Sequence, residues 1–146
     1  MKKILIIFLF ITACGFEPIY INKNIISFNE INLIGDERIN RKINSILLLN
    51  NDSNSQPTKK IFVESRKSII EASKDPKGQT ATYKSTVEIK VVISNDEEVE
   101  KQRIFDESFT YNNLENKYNL YSYQKKIEDD LVNKIIEDLI IFINLQ

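Results

Sequence analysis

Cys14 is the only cysteine among the 146 residues, and it directly follows Ile11-Thr12-Ala13. Its thiol is the one strong nucleophile in the chain, because histidine is absent altogether. Without an imidazole there is no ordinary general base, no Ser-His or Cys-His pair and no nitrogen ligand for a transition metal. An all-oxygen metal site would need clustered carboxylates, yet no Asp-x-Asp-x-Asp loop occurs. Three glycines in the whole chain leave no material for a phosphate-cradling loop. The adjacent carboxylates Asp129-Asp130 and Glu137-Asp138 sit within a helical apolar pattern and read as a solvated helix face. Two carboxylates from separate strands meeting in a glycosidase-like cleft is the one hydrolytic chemistry the composition leaves open.

The context of the thiol assigns it a different use. Met1-Lys2-Lys3 supplies a basic start, Ile4 to Ile11 an apolar run, and Thr12-Ala13 small residues at a cut. That is the pattern of a secretory signal peptide, and the run is far short of the ~20 apolar residues a spanning helix needs. Ordinary cleavage after Ala13 would leave bulky Ile11 at the third position before the cut. With Cys14 next, Ile11-Thr12-Ala13-Cys14 reads as a lipobox, in which the thiol is alkylated with diacylglycerol and Cys14 becomes the first mature residue. Two acyl chains hold a protein on a bilayer where one does so only marginally. The expected organisation is a leader over 1–13, a lipidated tether over 14–24 and a single domain over 25–146. Residue 15 is Gly rather than Asp, so the usual inner-membrane retention signal is absent, which fits an outer-membrane address.

Loss of residues 1–13 removes Lys2 and Lys3 and leaves 133 residues with 18 basic against 21 acidic side chains. This acidic balance speaks against a nucleic-acid partner, which calls for a basic excess. No internal disulfide is expected once Cys14 is lipidated, and no cofactor beyond that covalent lipid.

The elements that must position any site follow from periodicity. Ile25 to Leu33 is extended, with Ile26 and Phe28 on one face and Ile31 and Leu33 on the other. Gly35-Asp36 breaks it, and Asp36 caps a helix over Glu37 to Leu49 whose stripe is Ile39, Ile43, Ile46 and Leu47. Asn50 to Thr58 is a loop by composition. Lys59 to Ala72 alternates as a strand, and Asp75-Pro76-Lys77-Gly78 carries the residues of a type I turn. From Thr80 to Ile93, Tyr83, Ser85, Val87, Ile89, Val91 and Ile93 share one strand face, opposite Thr82, Lys84, Thr86, Glu88 and Lys90. Asn95 to Glu98 turns the chain into a strand from Val99 to Tyr111, with Phe105, Phe109 and Tyr111 in phase. A polar loop over Asn112 to Leu120 leads to a helix over Ser122 to Leu145. Its stripe is Tyr123, Ile127, Leu131, Ile135, Leu139 and Phe142, and Lys125, Lys126, Glu128, Asp129, Lys134, Glu137 and Asp138 face outward. So wide an apolar face calls for a sheet beneath it. The expected fold is an α+β two-layer sandwich in the order β-α-β-β-β-α. A four-stranded mixed sheet carries two helices on one face, its first two strands parallel through a right-handed crossover.

Cys14-Gly15-Phe16-Glu17-Pro18-Ile19-Tyr20 resembles the Cys-Gly-Phe-x-Pro-Leu-Tyr opening of alphaproteobacterial LptE, the lipopolysaccharide-assembly lipoprotein family. Gly78-Gln79-Thr80-Ala81-x-Tyr83 is similar to a hairpin stretch of enterobacterial members. Arg103-x-Phe105 before Phe109-x-Tyr111 resembles their fourth strand, and Tyr121-Ser122-Tyr123 their entry to the long last helix. The resemblance spans nearly the whole mature chain and implies a non-enzymatic role. It implies a plug within an outer-membrane β-barrel of the LptD type that assists the barrel's assembly and helps insert lipopolysaccharide into the outer leaflet. It further implies basic residues around the hairpin as lipopolysaccharide contacts, here Lys74, Lys77, Lys84 and Lys117. Two other classes stay open on the residues alone. One is an independent periplasmic lipid-binding lipoprotein or auxiliary subunit of an ABC-type lipid transporter. The other is a carboxylate-based hydrolase.

Overall fold

A computed structural model describes residues 28–49, 59–95 and 98–144. Cys14, the leader, the tether and Ile26 at the start of the first strand lie outside the described residues, as does the loop over 50–58. Strand β1 (Phe28–Gly35), helix α1 (Glu37–Leu49), strands β2 (Lys59–Lys74), β3 (Thr80–Ser94) and β4 (Val99–Asn112), and helix α2 (Lys117–Asn144) follow in that order. The four strands lie β1-β2-β3-β4 across one open sheet. β1 runs parallel to β2, and the remaining neighbours are antiparallel. This is the α+β sandwich read from periodicity. α1 lies over β1 and β2, and α2 over β3 and β4, on the same face.

The core is the alternation made solid. Ile61 and Val63 of β2, Val87, Ile89, Val91 and Ile93 of β3, and Phe105 and Tyr111 of β4 are buried beneath Ile39, Ile43 and Leu47 of α1. From α2 come Ile127, Leu131, Val132, Ile135, Ile136, Leu139 and Ile143. Each fully buried aliphatic side chain adds about 1.5–3 kcal/mol before the cost of ordering it.

One backbone position cannot be exchanged. Gly35 has φ +106°, and a Cβ there would stand 1.9 Å from the Ser65 carbonyl oxygen. The close approach lets Asp36 N–H reach Ser65 C=O at 3.3 Å. Asp36 then caps α1 as expected, its Oδ1 accepting from the N–H groups of Arg38 at 3.0 Å and Ile39 at 3.1 Å. Ser65, buried beside this turn, donates to Asn40 Oδ1 at 2.7 Å.

Three details differ from the sequence reading. Phe28 joins the same core as Ile31 and Leu33, because the register slips by one between Phe28 and Glu30 and resets the alternation. α2 begins at Lys117, so the polar connection shrinks to 113–116. Asn116 is its cap, with Oδ1 accepting from Tyr118 and Asn119 N–H at 2.9 and 3.1 Å. Leu120 is the one core residue of the first turn, too little of a stripe for apolar spacing alone to place the start there. Glu128 and Asp129, expected to face solvent, are partly buried against α1 and β2.

Candidate functional site

The β2–β3 hairpin closes through Asp75. Gly78 N–H donates to Asp75 C=O at 2.9 Å, and Asp75 N–H to Gln79 C=O at 2.8 Å. Asp75 Oδ1 accepts from Lys77 and Gln79 N–H at 2.9 and 2.8 Å. Gly78 supplies the left-handed residue, with φ +80°, that lets a type I turn match the twist of the strands. Lys77 is exposed in this turn, and Lys74 is exposed where β2 ends. Lys74 lies 3.9 Å from Glu71 with both side chains more than half exposed, so their attraction is weak.

Lys117 opens α2. Asn113 ties the preceding segment to the start of β3, donating its N–H to Ala81 C=O at 2.8 Å and its side-chain amide to Thr80 C=O at 2.8 Å. The fold therefore brings Lys74, Lys77 and Lys117 to one end of the sheet. A cation at the first position of a helix adds its positive potential to that of the helix N-terminus. Lys84 stands apart. It lies on the uncovered face, in register with Ile70 and Thr110, four residues from the strand start, or about 13 Å.

That uncovered face extends across β2, β3 and β4. Its rows run Ser68–Thr86–Ser108, Arg66–Glu88–Asp106 and Glu64–Lys90–Ile104 across β2, β3 and β4. It mixes hydroxyls and both charges with apolar side chains: Phe62 pairs with Val92, and Ile34, Ile70 and Ile104 are each more than half exposed. Its make-up allows polar, adaptable contact over a broad area.

On the covered face an ion-pair cluster, missed in the sequence, joins the helices to β2. Lys67 Nζ lies 3.0 Å from Asp36 Oδ2 and 3.0 Å from Glu128 Oε1. Arg38 reaches Glu128 at 3.6 Å and hydrogen-bonds Asp129, and Lys42 reaches Asp129 at 3.3 Å. Burial by itself would raise the Asp36 carboxyl, but the Ile39 N–H, the Lys67 ammonium and the Arg38 N–H outweigh it and hold the pKa below its ordinary value. Burial likewise opposes the Lys67 charge, and the two carboxylates overcome it and raise the pKa. The sequence did carry a sign of this cluster, since Lys67 falls in phase with Ile61, Val63 and Ser65 on a face otherwise meant for the core. Beside it a groove of about 530 Å³ is lined by Lys67, Ile69, Tyr121 and Lys125 among others. Lys125 Nζ sits 4.6 Å from the centre of the Tyr121 ring.

The aromatic motifs converge on packing. Tyr83 stacks on Tyr111 at 6.0 Å, and Tyr123 meets Tyr111 edge-on at 5.7 Å. The Tyr111 hydroxyl is 3.0 Å from Ser85 Oγ. Arg103 lies 4.8 Å from the centre of Phe105. A second groove, of about 440 Å³, runs between β4 and α2 past Phe109, Tyr123, Ile127 and Leu131.

No family model matches the sequence, and no curated protein matches it. Solved structures do match the fold. An uncharacterized lipoprotein B from Nitrosomonas europaea aligns with TM-score 0.61 at 7% identity, over 86% of this chain and 90% of its own. Rare lipoprotein B from Shewanella oneidensis aligns with TM-score 0.51 at 13% identity, over 79% of this chain and 98% of its own. A minor lipoprotein from Acinetobacter baumannii gives TM-score 0.51 at 7% identity, over 77% of this chain and 87% of its own. At these identities the likeness is one of fold, shared with bacterial lipoproteins, and none of the three carries an enzymatic name.

Proposed function

We propose that this chain is an outer-membrane lipoprotein, anchored through diacylglycerol on Cys14, that seats inside an LptD-type β-barrel. There it assists the barrel's assembly and the insertion of lipopolysaccharide into the outer leaflet. The observation that carries the reading is the broad, largely polar face left open by a sheet whose other face packs against both helices, in a fold shared with bacterial lipoproteins. The lumen of a transmembrane barrel is polar, and hydroxyl rows flanked by mixed charges suit such a wall. Lys74, Lys77 and Lys117 at the hairpin end are the cations offered to lipid A phosphates, with Lys84 a further contact on the open face.

Intact-mass analysis of membrane-extracted protein should give a chain starting at Cys14 with lipid attached; a free thiol or a retained leader would reject the anchor. The triple change Lys74→Glu, Lys77→Glu and Lys117→Glu should weaken lipopolysaccharide binding and reduce its salt dependence, since exposed charge contacts are screened by salt. Binding equal to the parent's would remove these lysines from the contact set. The groove between β4 and α2, where Phe109, Ile127 and Leu131 lie among Glu107, Lys126, Asp130 and Lys134, favours a second reading, an independent lipid-binding lipoprotein or transporter subunit. That reading expects an acyl chain to co-purify and no barrel.

A further inference from the structure

β4 has no strand on its outer side among the described residues. One bond fixes the backbone phase along that edge. Asn113 N–H donates to Ala81 C=O, in step with the pairs Tyr83↔Tyr111 and Ile89↔Phe105. The odd-numbered residues of β4 thus turn their N–H and C=O groups to β3, and Gln102, Ile104, Asp106 and Ser108 turn theirs outward. No proline interrupts the strand, so each outward donor is available to a ladder.

Such an edge is a template for pairing, and the side chains along it select the partner. Lys101, Arg103, Phe105 and Glu107 line the helix side, and Gln102, Ile104 and Asp106 the open side. We propose that β4 pairs antiparallel with β4 of a second copy of this chain, about a two-fold axis at Ile104. This inference goes beyond the barrel reading, because it uses the sheet edge and leaves the open face free. A two-fold there sets Ile104, 53% exposed in the single chain, against Ile104 of the second copy. It sets Arg103 against Phe105, Gln102 against Asp106 and Lys101 against Glu107, so each pair is apolar, cation-on-ring, hydrogen-bonding or oppositely charged. Both Ile104 and the Gln102/Asp106 pair fall on outward-facing backbone, as ladder bonds require. The centres within two residues of Ile104 fail: one on Arg103 or Asp106 sets like charges face to face, one on Gln102 sets Lys101 against Arg103, and one on Phe105 sets Ile104 against Asp106. The side chains are already held at this edge, Glu107 by Lys134 at 2.7 Å and Arg103 over the Phe105 ring. Inward cations that would repel a generic hydrophobic strand therefore admit this one.

The test is mild oxidation of the full-length protein, solubilised from membranes in detergent, read on a non-reducing gel. Directly opposed ladder residues lie about 5.5 Å apart at Cα, within the disulfide range of roughly 4.4–6.8 Å. Ile104→Cys should give a covalent dimer, while the parent and Ser108→Cys should not, since the two Ser108 positions would be about 26 Å apart. Gln102→Cys mixed with Asp106→Cys should cross-link where either alone does not. Adding Glu107→Lys to Ile104→Cys should abolish the dimer, and Lys101→Glu on top should restore it, which separates pairing from a folding defect. Cross-linking of Ile104→Cys no better than Ser108→Cys, or a charge swap that fails to restore it, would overturn the proposal.

Discussion

One sheet presents two faces that obey different rules. Beneath the helices, Ile61, Val63, Ile89 and Val91 are fully buried. One residue over along the same strands, Phe62, Glu64, Lys90 and Val92 face away from the helices and are only half buried. The covered face carries the stability of the fold. The open face carries charge, hydroxyls and stranded isoleucines that the fold itself does not require. Substitution should therefore separate the two, with loss of folding on one side and loss of partners on the other.

The largest effect is expected in the covered layer. Leu131→Ala and Leu139→Ala should each cost about 2–5 kcal/mol, the lost transfer energy plus an unfilled cavity, measured by denaturant melts. Gly35→Ala should cost a comparable amount, because both the left-handed backbone and the 1.9 Å approach to Ser65 oppose a side chain. Parent-like melting of Gly35→Ala would mean that the β1–α1 turn is built differently.

Next comes the ion-pair cluster. Asp36→Ala removes a cap worth about 0.5–2 kcal/mol, whereas Asp36→Asn keeps the cap and removes the charge. A carboxylate with a lowered folded pKa stabilises above its unfolded pKa, and that contribution is lost as pH falls through the folded value. The parent should accordingly lose stability below about pH 4, and Asp36→Asn should flatten that part of the curve. Lys67, with its pKa raised, gives the opposite sign. Its contribution is intact at neutral pH and lost only as pH climbs above about 10.4 through the raised value. An unchanged acid limb in Asp36→Asn would remove Asp36 from the account of acid sensitivity.

The smallest effects on folding belong to the open face and the hairpin end. Lys125→Ala, Glu137→Ala and Thr86→Arg should stay within about 0.5 kcal/mol. The triple lysine-to-glutamate change should do the same, since Glu at the start of α2 is favoured by the helix dipole. A large loss from Thr86→Arg would show that the open face takes part in folding after all.

Strand order, pairing sense and the helix-covered face were legible because alternation and the 3.6-residue period report burial directly. The Asp36 cap and the Asp75 turn were legible because their chemistry is local. The slip at Phe28 was not, since a single inserted residue leaves the composition unchanged while reversing the face. The start of α2 was hidden because Leu120 is the only core residue of its first turn, whose helical state depends on the Asn116 cap and the Asn113 tie to β3. The Lys67 cluster needed three elements that meet only in space, although a lysine in phase with the core hinted at it. Of the candidate lysines, the hairpin pair could be placed from the turn. Lys84 could be placed on the open face from the alternation, whereas Lys117 needed the assembled layers to show that it stands at the hairpin end.

The division of labour between the two faces is tested most directly by purifying the full-length protein from native membranes and identifying what comes with it. The parent should bring down an outer-membrane β-barrel in matching amount, and Thr86→Arg, at an unchanged melting temperature, should lose it. Recovery of the parent with no barrel, or equal recovery of the barrel by Thr86→Arg, would contradict a partner seated on the open face.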